Sequence, residues 1–190
     1  MSTLSQEVMN EKPLLIPAAP AGEEQRVSTI LDMAKEHLGF IPDGLRLYSI
    51  SPPLLETFFT NVGYFRSGTR LSPVLTTMIR YLVSSEAKCQ FCIDMNEGFL
   101  DHMGVDLDRA RQARDNPAVA PVEDKERVLL DIALRSVSDP QSVNHADMDA
   151  AHAQGWGDRE IFDAVAQATN NRAFNNLLRT FNVEQQGVFA

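Results

Sequence analysis

Cysteine is scarce in this sequence, and its two residues stand close together. Cys89 and Cys92 are the only cysteines among 190 residues, and they have the spacing Cys-x-x-Cys. Two thiols cannot complete a zinc site of four cysteines, and they are too few for a framework of structural disulfides. They can form one short disulfide, so the pair points first to redox chemistry.

The sequence also lacks an excess of basic residues. Its 17 lysines and arginines are outnumbered by 26 aspartates and glutamates, which gives a formal net charge of -9. Binding to nucleic acid or to an anionic membrane surface needs clustered lysine and arginine, and no such cluster is present. We therefore expect neither nucleic acid nor a membrane as a partner.

Long apolar runs are missing as well. No stretch approaches the roughly 20 apolar residues of a membrane-spanning helix. The start of the chain carries Glu7 and Glu11 and only one short apolar patch, from Leu14 to Ile16, which is unlike a signal peptide. These features predict a cytoplasmic protein, and in that compartment a Cys-x-x-Cys pair tends to be catalytic, redox-sensing or metal-binding.

The chain divides into an N-terminal arm and one helical domain. Pro13, Pro17 and Pro20 disfavour a helix and predict an extended or mobile arm over residues 1–22. Apolar residues in 23–190 recur at spacings of three and four, without the sustained alternation that is typical of strands. We expect a single all-α domain of about seven or eight helices.

Helix starts are predicted where a capping residue precedes a periodic apolar stretch. Ser51 and Ser72 are each followed by proline, which fits the first turn of a helix. A cap at Ser84 or Ser85 would start a helix that opens directly into the cysteines. The last two caps are expected at Asn144 and Asp158.

The cysteines allow three interpretations. A helix N-terminus favours thiolate over thiol, and two cysteines three residues apart on one helix face can exchange a disulfide with little backbone movement. Free cysteine is also often buried as a small apolar residue, so both could simply pack in a core. A metal site shared with other residues is the third interpretation.

Several motifs resemble those of the carboxymuconolactone decarboxylase and alkylhydroperoxidase AhpD-like superfamily. They are Gly-Phe-Ile-Pro-Asp at 39–43, Ser-Pro-Pro-Leu-Leu at 51–55, Leu-Ser-Pro at 71–73, the Cys-x-x-Cys helix, and Gly-Trp-Gly-Asp-Arg-Glu-Ile at 155–161. Their order and spacing match the family over about residues 25–183. The resemblance implies an all-helical AhpD-like domain over 23–190 that assembles as a homo-oligomer, a dimer, trimer or hexamer.

The resemblance also implies roles for the two cysteines. Redox members of the family reduce hydroperoxides with this pair, so by resemblance Cys92 would attack the peroxide and Cys89 would resolve the product. Family members that lack the cysteines can be decarboxylases. The presence of both therefore favours the peroxidase-related branch.

Two positions depart from the family pattern. The family has Cys-x-x-Cys-x-x-x-His, in which the histidine relays a proton, and the matching residue here is Asn96. It also has a glutamate twelve residues before the first cysteine, where this chain has Thr77. Asparagine cannot exchange a proton near neutral pH, and threonine cannot hold a negative charge. We therefore expect slow peroxide turnover or a different redox substrate.

Three nearby residues could substitute for the missing relay. Glu86 could act as a base on the face of Cys89, although its charge would oppose thiolate formation, and Lys88 could supply a favourable positive charge. An exposed side chain is the simpler interpretation of both. His102 points well round the helix from Cys92, which disfavours it as a base.

Two further groups of polar residues could bind a ligand. His145, Asp149 and His152 lie on one helical stripe and could bind a metal, although a solvated stripe is commoner. Trp156, in a glycine turn, is expected to anchor helices to each other. Asparagines in the last helix could line a pocket or form a buried hydrogen-bond network; they are Asn170, Asn171, Asn175 and Asn176.

The sequence thus predicts a thiol-dependent, peroxiredoxin-type alkylhydroperoxidase in which Cys92 and Cys89 cycle between dithiol and disulfide. It would need no organic cofactor and no metal, act on a small hydroperoxide, and be reduced by a protein or a small thiol. One alternative is a non-catalytic or redox-sensing helical oligomer. Another is carboxymuconolactone decarboxylase-like activity on a small molecule.

Overall fold

The computed structural model describes residues 13–183, and this part of the chain is helical without a strand. The all-α class is therefore confirmed, with nine α-helices in this range against the seven or eight expected. Two of the nine helices, Asp43–Tyr48 and Leu107–Gln112, have only six residues each, which is too short for a helical apolar period to be recognised in the sequence. The helices are α1 (Glu24–Leu38), α2 (Asp43–Tyr48), α3 (Pro52–Gly63), α4 (Pro73–Glu86), α5 (Gln90–His102), α6 (Leu107–Gln112), α7 (Arg127–Ser138), α8 (His145–Ala153) and α9 (Asp158–Thr180).

Two of the predicted caps make the expected hydrogen bonds. The Ser72 side chain accepts from the N–H of Leu75 at 3.0 Å and starts α4. The Asn144 side chain accepts from the N–H of Ala146 at 2.9 Å and starts α8. Ser51 holds the N-cap position of α3 without a side-chain hydrogen bond.

The caps predicted at Ser84 or Ser85 and at Asp158 are wrong. The helix α4 continues through both serines to Glu86, and its last turn is closed by backbone hydrogen bonds instead. Gly157 is the N-cap residue of α9, where its N–H donates to the Glu160 carboxylate at 2.9 Å. Tertiary packing, which a local pattern does not report, extends α4 beyond its capping signal.

The helix α4 lies at the centre of the main hydrophobic core. It packs against α5, α7 and α9, and α9 also packs along α7. Nine of its 14 residues are buried. Polar side chains on such a helix must find hydrogen-bond partners inside the protein, because water does not reach them.

Two smaller apolar clusters complete the packing. One joins α1, α2 and α3. The other, which we name the cysteine cluster, contains Leu47, Cys89, Phe91, Cys92, Phe174, Leu178 and Val183. It brings α2 and the end of α9 against the start of α5 and so encloses both cysteines.

Only part of the predicted N-terminal arm lies in the described range. Residues 13–22 contain no helix, and the N–H of Leu14 donates to the carbonyl of Phe181 at 3.0 Å. Residues 1–12 lie outside the described residues. Within 13–183, none of the helices combines the length and apolar character that a membrane span needs.

Gly44 packs where a side chain would collide with the cysteine cluster. A Cβ at Gly44 would lie 2.9 Å from Phe174 and 3.3 Å from both Leu178 and Phe91. We expect Gly44→Ala to lower the free energy of unfolding by about 1–3 kcal/mol, because overpacking forces neighbouring side chains to move. Urea denaturation measures this change.

Gly63 provides the matched control, because nothing lies within 4 Å of a Cβ there. Gly63→Ala should raise stability by up to about 1 kcal/mol, since alanine is the better helix former and restricts the unfolded chain. Equal denaturation midpoints for the two variants would contradict the packing argument.

Candidate active site

Both cysteines lie at the N-terminus of α5. Cys89 is the N-cap residue, with φ -92° and ψ 93°, and its carbonyl accepts from the N–H of Ile93 at 3.0 Å. Cys92 lies in the first turn, where backbone N–H groups lack helical partners and the helix dipole favours negative charge. The two cysteines are not joined by a disulfide, and each is 0% exposed.

A tight turn connects α4 to this pair. The N–H of Cys89 donates to the carbonyl of Ser84, and the N–H of Lys88 donates to the carbonyl of Ser85, both at 3.0 Å. This pattern closes a helix with one left-handed residue, usually glycine. That residue here is Lys88, at φ 56°, with its side chain exposed.

Lys88→Gly is expected to stabilise the protein by about 0.5–1 kcal/mol, because a left-handed backbone strains a residue with a Cβ. Lys88→Ala is the control, since it removes the same charge and keeps the strain. Thermal unfolding of both variants separates the two effects. A gain of the same size in Lys88→Ala would show that charge, and not backbone conformation, limits stability at this position.

A buried polar network borders the cysteines on one side. The Asn171 amide donates to Ser84 Oγ at 3.0 Å and to Asn175 Oδ1 at 3.1 Å, and the Asn175 amide donates to Ser84 Oγ at 3.2 Å. Asn171 also donates to the carbonyl of Arg80 at 3.1 Å. Of the four asparagines singled out in α9, these two are therefore networked.

The other two asparagines of α9, Asn170 and Asn176, are exposed. Near the end of the same helix, Arg179 donates to the carbonyl of Ala87 at 2.7 Å and so ties α9 to the turn before Cys89. The helix α9 thus contributes two of its four asparagines to the polar network, while its Phe174 and Leu178 pack in the cysteine cluster.

The positions of the missing relay, Thr77 and Asn96, are joined by an arginine. Arg80 Nη2 donates to Thr77 Oγ1 at 2.9 Å, and Arg80 Nε donates to Asn96 Oδ1 at 3.0 Å. The Asn96 amide donates in turn to the carbonyl of Cys92 at 2.7 Å. Sequence reasoning missed Arg80, although an arginine inside the apolar stretch from Met78 to Val83 was a usable signal.

Aromatic rings also border the cysteines. The ring of Phe58 lies 5.0 Å from that of Tyr48 and 5.1 Å from that of Phe174, measured between centroids. These side chains pack against the cysteine cluster together with Met95 and Phe181. The pair therefore contacts both a polar network and apolar, aromatic side chains.

Burial and neighbouring groups control the ionisation of Cys92. Its hydrogen bond with Cys89, followed by burial, raises the pKa of Cys92, while hydrogen bonds with Asn175 and Ser84 lower it. Two neighbouring thiols that share a hydrogen bond oppose carrying two negative charges at once, because like charges repel. The pair can therefore carry one negative charge far more readily than two.

Arg80 keeps a positive charge beside this pair. Burial lowers the pKa of Arg80 to about 10, and a negative charge at Cys92 acts in the opposite direction. The guanidinium is therefore protonated at neutral pH.

Comparison with solved structures identifies the fold. A peroxidase-related protein from Silicibacter sp. TM1040 superposes with a TM-score of 0.82 at 22% identity, and 95% of each chain is covered. An AhpD-core, peroxidase-related protein from Ralstonia eutropha JMP134 gives a TM-score of 0.81 at 20% identity, again over 95% of each chain. The chain has the AhpD-like fold.

The same AhpD-like fold occurs in a debrominase, Bmp8. That enzyme superposes with a TM-score of 0.74 at 16% identity, over 93% of this chain and 94% of its own. A cysteine-to-alanine variant of the debrominase has been solved with 2,3,4-tribromopyrrole. No family model and no curated protein sequence matches this chain.

The proposed substitutes for the relay lie outside the polar network of the AhpD-like domain. Glu86 ends α4, and so is on a different helix from Cys92, and it pairs with Arg172 at 2.8 Å. Lys88 directs its charge to solvent. His102 is exposed at the last position of α5.

The remaining candidates have structural contacts. His152 Nε2 lies 2.9 Å from the Asp158 carboxylate, and among residues 13–183 no three histidines, cysteines or acidic residues are grouped as metal ligands. Trp156 Nε1 donates to the carbonyl of Lys125 at 2.6 Å and so links the start of α9 to the segment before α7.

Two open clefts are present elsewhere on the AhpD-like domain. One, of about 740 Å³, has Glu86, Lys88 and Arg135 in its wall, and the other, of about 610 Å³, has Tyr64 and Phe162. Neither Cys89 nor Cys92 lines these two clefts. Because both cysteines are 0% exposed, a substrate reaches them only when the packing around them opens.

Proposed function

We propose that this protein is a thiol-dependent oxidoreductase that reduces small hydroperoxides with Cys92 and Cys89. The observation that carries the proposal is the hydrogen-bonded cysteine pair at the N-terminus of α5, enclosed by a polar network on one side. The AhpD-like fold supports it, since two proteins of this fold are called peroxidase-related.

The reaction runs through one thiolate at a time. The Cys92 thiolate attacks the terminal oxygen of the hydroperoxide, so that an S–O bond forms, the O–O bond breaks, and the leaving alkoxide takes a proton to become an alcohol. Cys92 is then a sulfenic acid. The Cys89 thiol attacks the Cys92 sulfur, which forms the disulfide and releases water.

A partner must return two electrons and two protons to the disulfide. A dithiol protein or a small thiol does this through a mixed disulfide. A homo-oligomer remains a prediction from the family resemblance.

Mass spectrometry of the reduced protein tests the proposal. An equimolar addition of an alkyl hydroperoxide should remove two hydrogens per chain, and peptide mapping should find them in a Cys89–Cys92 disulfide. Repeated consumption of peroxide in the presence of a dithiol would establish turnover. Disulfide formation without turnover would identify a redox sensor, and thiols that stay reduced would show that the pair only packs.

A brominated pyrrole is a second substrate worth the same test. The specific observations are the rings of Tyr48, Phe58 and Phe174 beside the cysteines and the shared fold of a debrominase. Reductive debromination would replace a C–Br bond by C–H, release bromide with a proton, and leave the same disulfide. Bromide release without peroxide consumption would favour this substrate.

A further inference from the structure

Arg80 is anchored between the two helices that carry the site. Its guanidinium donates to Thr77 on its own helix, α4, and to Asn96 on α5. Asn96 holds the carbonyl of Cys92 at 2.7 Å through its amide. The guanidinium is therefore fixed next to the first turn of α5, with both of these contacts made to neutral side chains.

Such a half-buried cation is costly without a negative partner. Hydrogen bonds to neutral groups satisfy its N–H donors, but they do not replace the solvation of its charge. Other titratable and charged groups lie on the elements that form the site and its turn. They include Tyr48 on α2, Glu86 on α4, Lys88 in the turn, Cys89 at the N-cap of α5, and Arg172 and Arg179 on α9.

Most of these groups are engaged elsewhere. Glu86 pairs with Arg172, Arg179 binds the carbonyl of Ala87, and Lys88 is exposed. Arg80 is joined to Cys92 through Asn96, which accepts from Arg80 and donates to the Cys92 carbonyl. A negative charge at Cys92 favours the charged form of Arg80, so the two groups stabilise each other when Cys92 is ionised.

We propose that Arg80 is a positioning residue that holds a fixed positive charge beside Cys92, in place of a proton relay at Thr77 and Asn96. The inference rests on the proposed function only in taking Cys92 as the reacting thiol. Arginine does not give up its proton in the working pH range, so it stabilises the thiolate without accepting the thiol proton. That proton leaves to solvent, and a single thiol ionisation governs the reactivity of Cys92.

Titration of Cys92 in a protein that lacks the Cys89 thiol tests this inference. In a Cys89→Ser background one thiol titrates, and its midpoint is followed by the ultraviolet absorbance of the thiolate and by the rate of iodoacetamide alkylation. Arg80→Gln removes the charge and keeps an amide donor, whereas Arg80→Lys keeps the charge. We expect Arg80→Gln to raise the midpoint by about one pH unit or more, which slows alkylation about 10-fold below the midpoint. Arg80→Lys should restore most of the rate.

Arg70→Met is the matched control, because Arg70 precedes α4, is largely exposed and pairs with Glu160 at the start of α9. Its midpoint should equal that of the parent. An unchanged midpoint in Arg80→Gln, or equal shifts in Arg80→Gln and Arg80→Lys, would overturn the inference and leave Arg80 a structural clamp. These measurements need no peroxide. A shift of the Cys92 midpoint in Arg80→Gln would therefore support the inference even if the protein fails to reduce hydroperoxides, so the two failures are distinguishable.

Discussion

Cys92→Ser is expected to abolish hydroperoxide reduction, with a loss of at least about 10³-fold, because a serine hydroxyl in this site has no activating base and is a far weaker nucleophile than a thiolate. Cys89→Ser should behave differently. Cys92 can still attack one peroxide, but its sulfenic acid then lacks the thiol that would release water from it. One equivalent of peroxide should be consumed quickly, and turnover should stop.

Trapping of the sulfenic acid distinguishes these outcomes. A sulfenate-selective reagent, followed by peptide mass spectrometry, should label Cys92 in the Cys89→Ser variant and nothing in the Cys92→Ser variant. Label on Cys89 instead would exchange the two roles. Circular dichroism of both variants is the necessary control, since each cysteine is fully buried and a serine there adds a hydroxyl that must find a partner.

Asn175→Ala should lower the free energy of unfolding by about 3 kcal/mol, more than the other substitutions proposed for this protein. It leaves a cavity and at the same time removes a buried hydrogen-bonding side chain. Asn175 is 0% exposed and links α9 to Ser84 on α4, while its own Oδ1 accepts from Asn171. Truncation would leave those partners with fewer hydrogen bonds in the core. Denaturant unfolding at constant m-value measures the loss.

The same substitution should also make Cys92 harder to ionise. Asn175 is one of the groups that lower the pKa of Cys92, so its removal should shift that pKa upward and slow alkylation at neutral pH. The thiolate exists above its pKa, so the loss of reactivity should be greatest at low pH and disappear at high pH. A pH profile of alkylation shows the sign directly.

Asn176→Ala is the matched control on the next residue. Asn176 is exposed on α9, and alanine is the better helix former, so stability should stay the same or rise slightly. Equal losses at 175 and 176 would mean that asparagine matters to α9 itself and not to the buried network.

The helical class and several helix ends were predictable because they depend on neighbours in the sequence. Apolar residues three and four apart specify a helix, and Ser72 followed by Pro73 specifies a start, as its hydrogen bond to Leu75 shows. Cys89 and Cys92 were also visible as a pair from spacing alone. The resemblance that named the AhpD-like fold rested on motifs of this local kind.

The failures lie where packing overrides a local signal. Ser84 looked like a cap because a serine precedes a helix, but α4 is buried on several sides and runs on until Lys88 turns the chain. The Ser84 hydroxyl is used instead by Asn171 and Asn175, 87 and 91 residues further along the chain. Nothing in the sequence around Ser84 indicates those partners.

The sequence by itself determined the class of fold, the position of the thiols, and the absence of the family's glutamate and histidine at Thr77 and Asn96. Only the tertiary structure decided which side chain contacts both of those residues. Arg80 reaches Asn96 because α4 and α5 pack side by side, and the distance between two side chains on different helices depends on how the helices dock. Local spacing fixes which residues share a face, whereas docking fixes which charge meets the thiol.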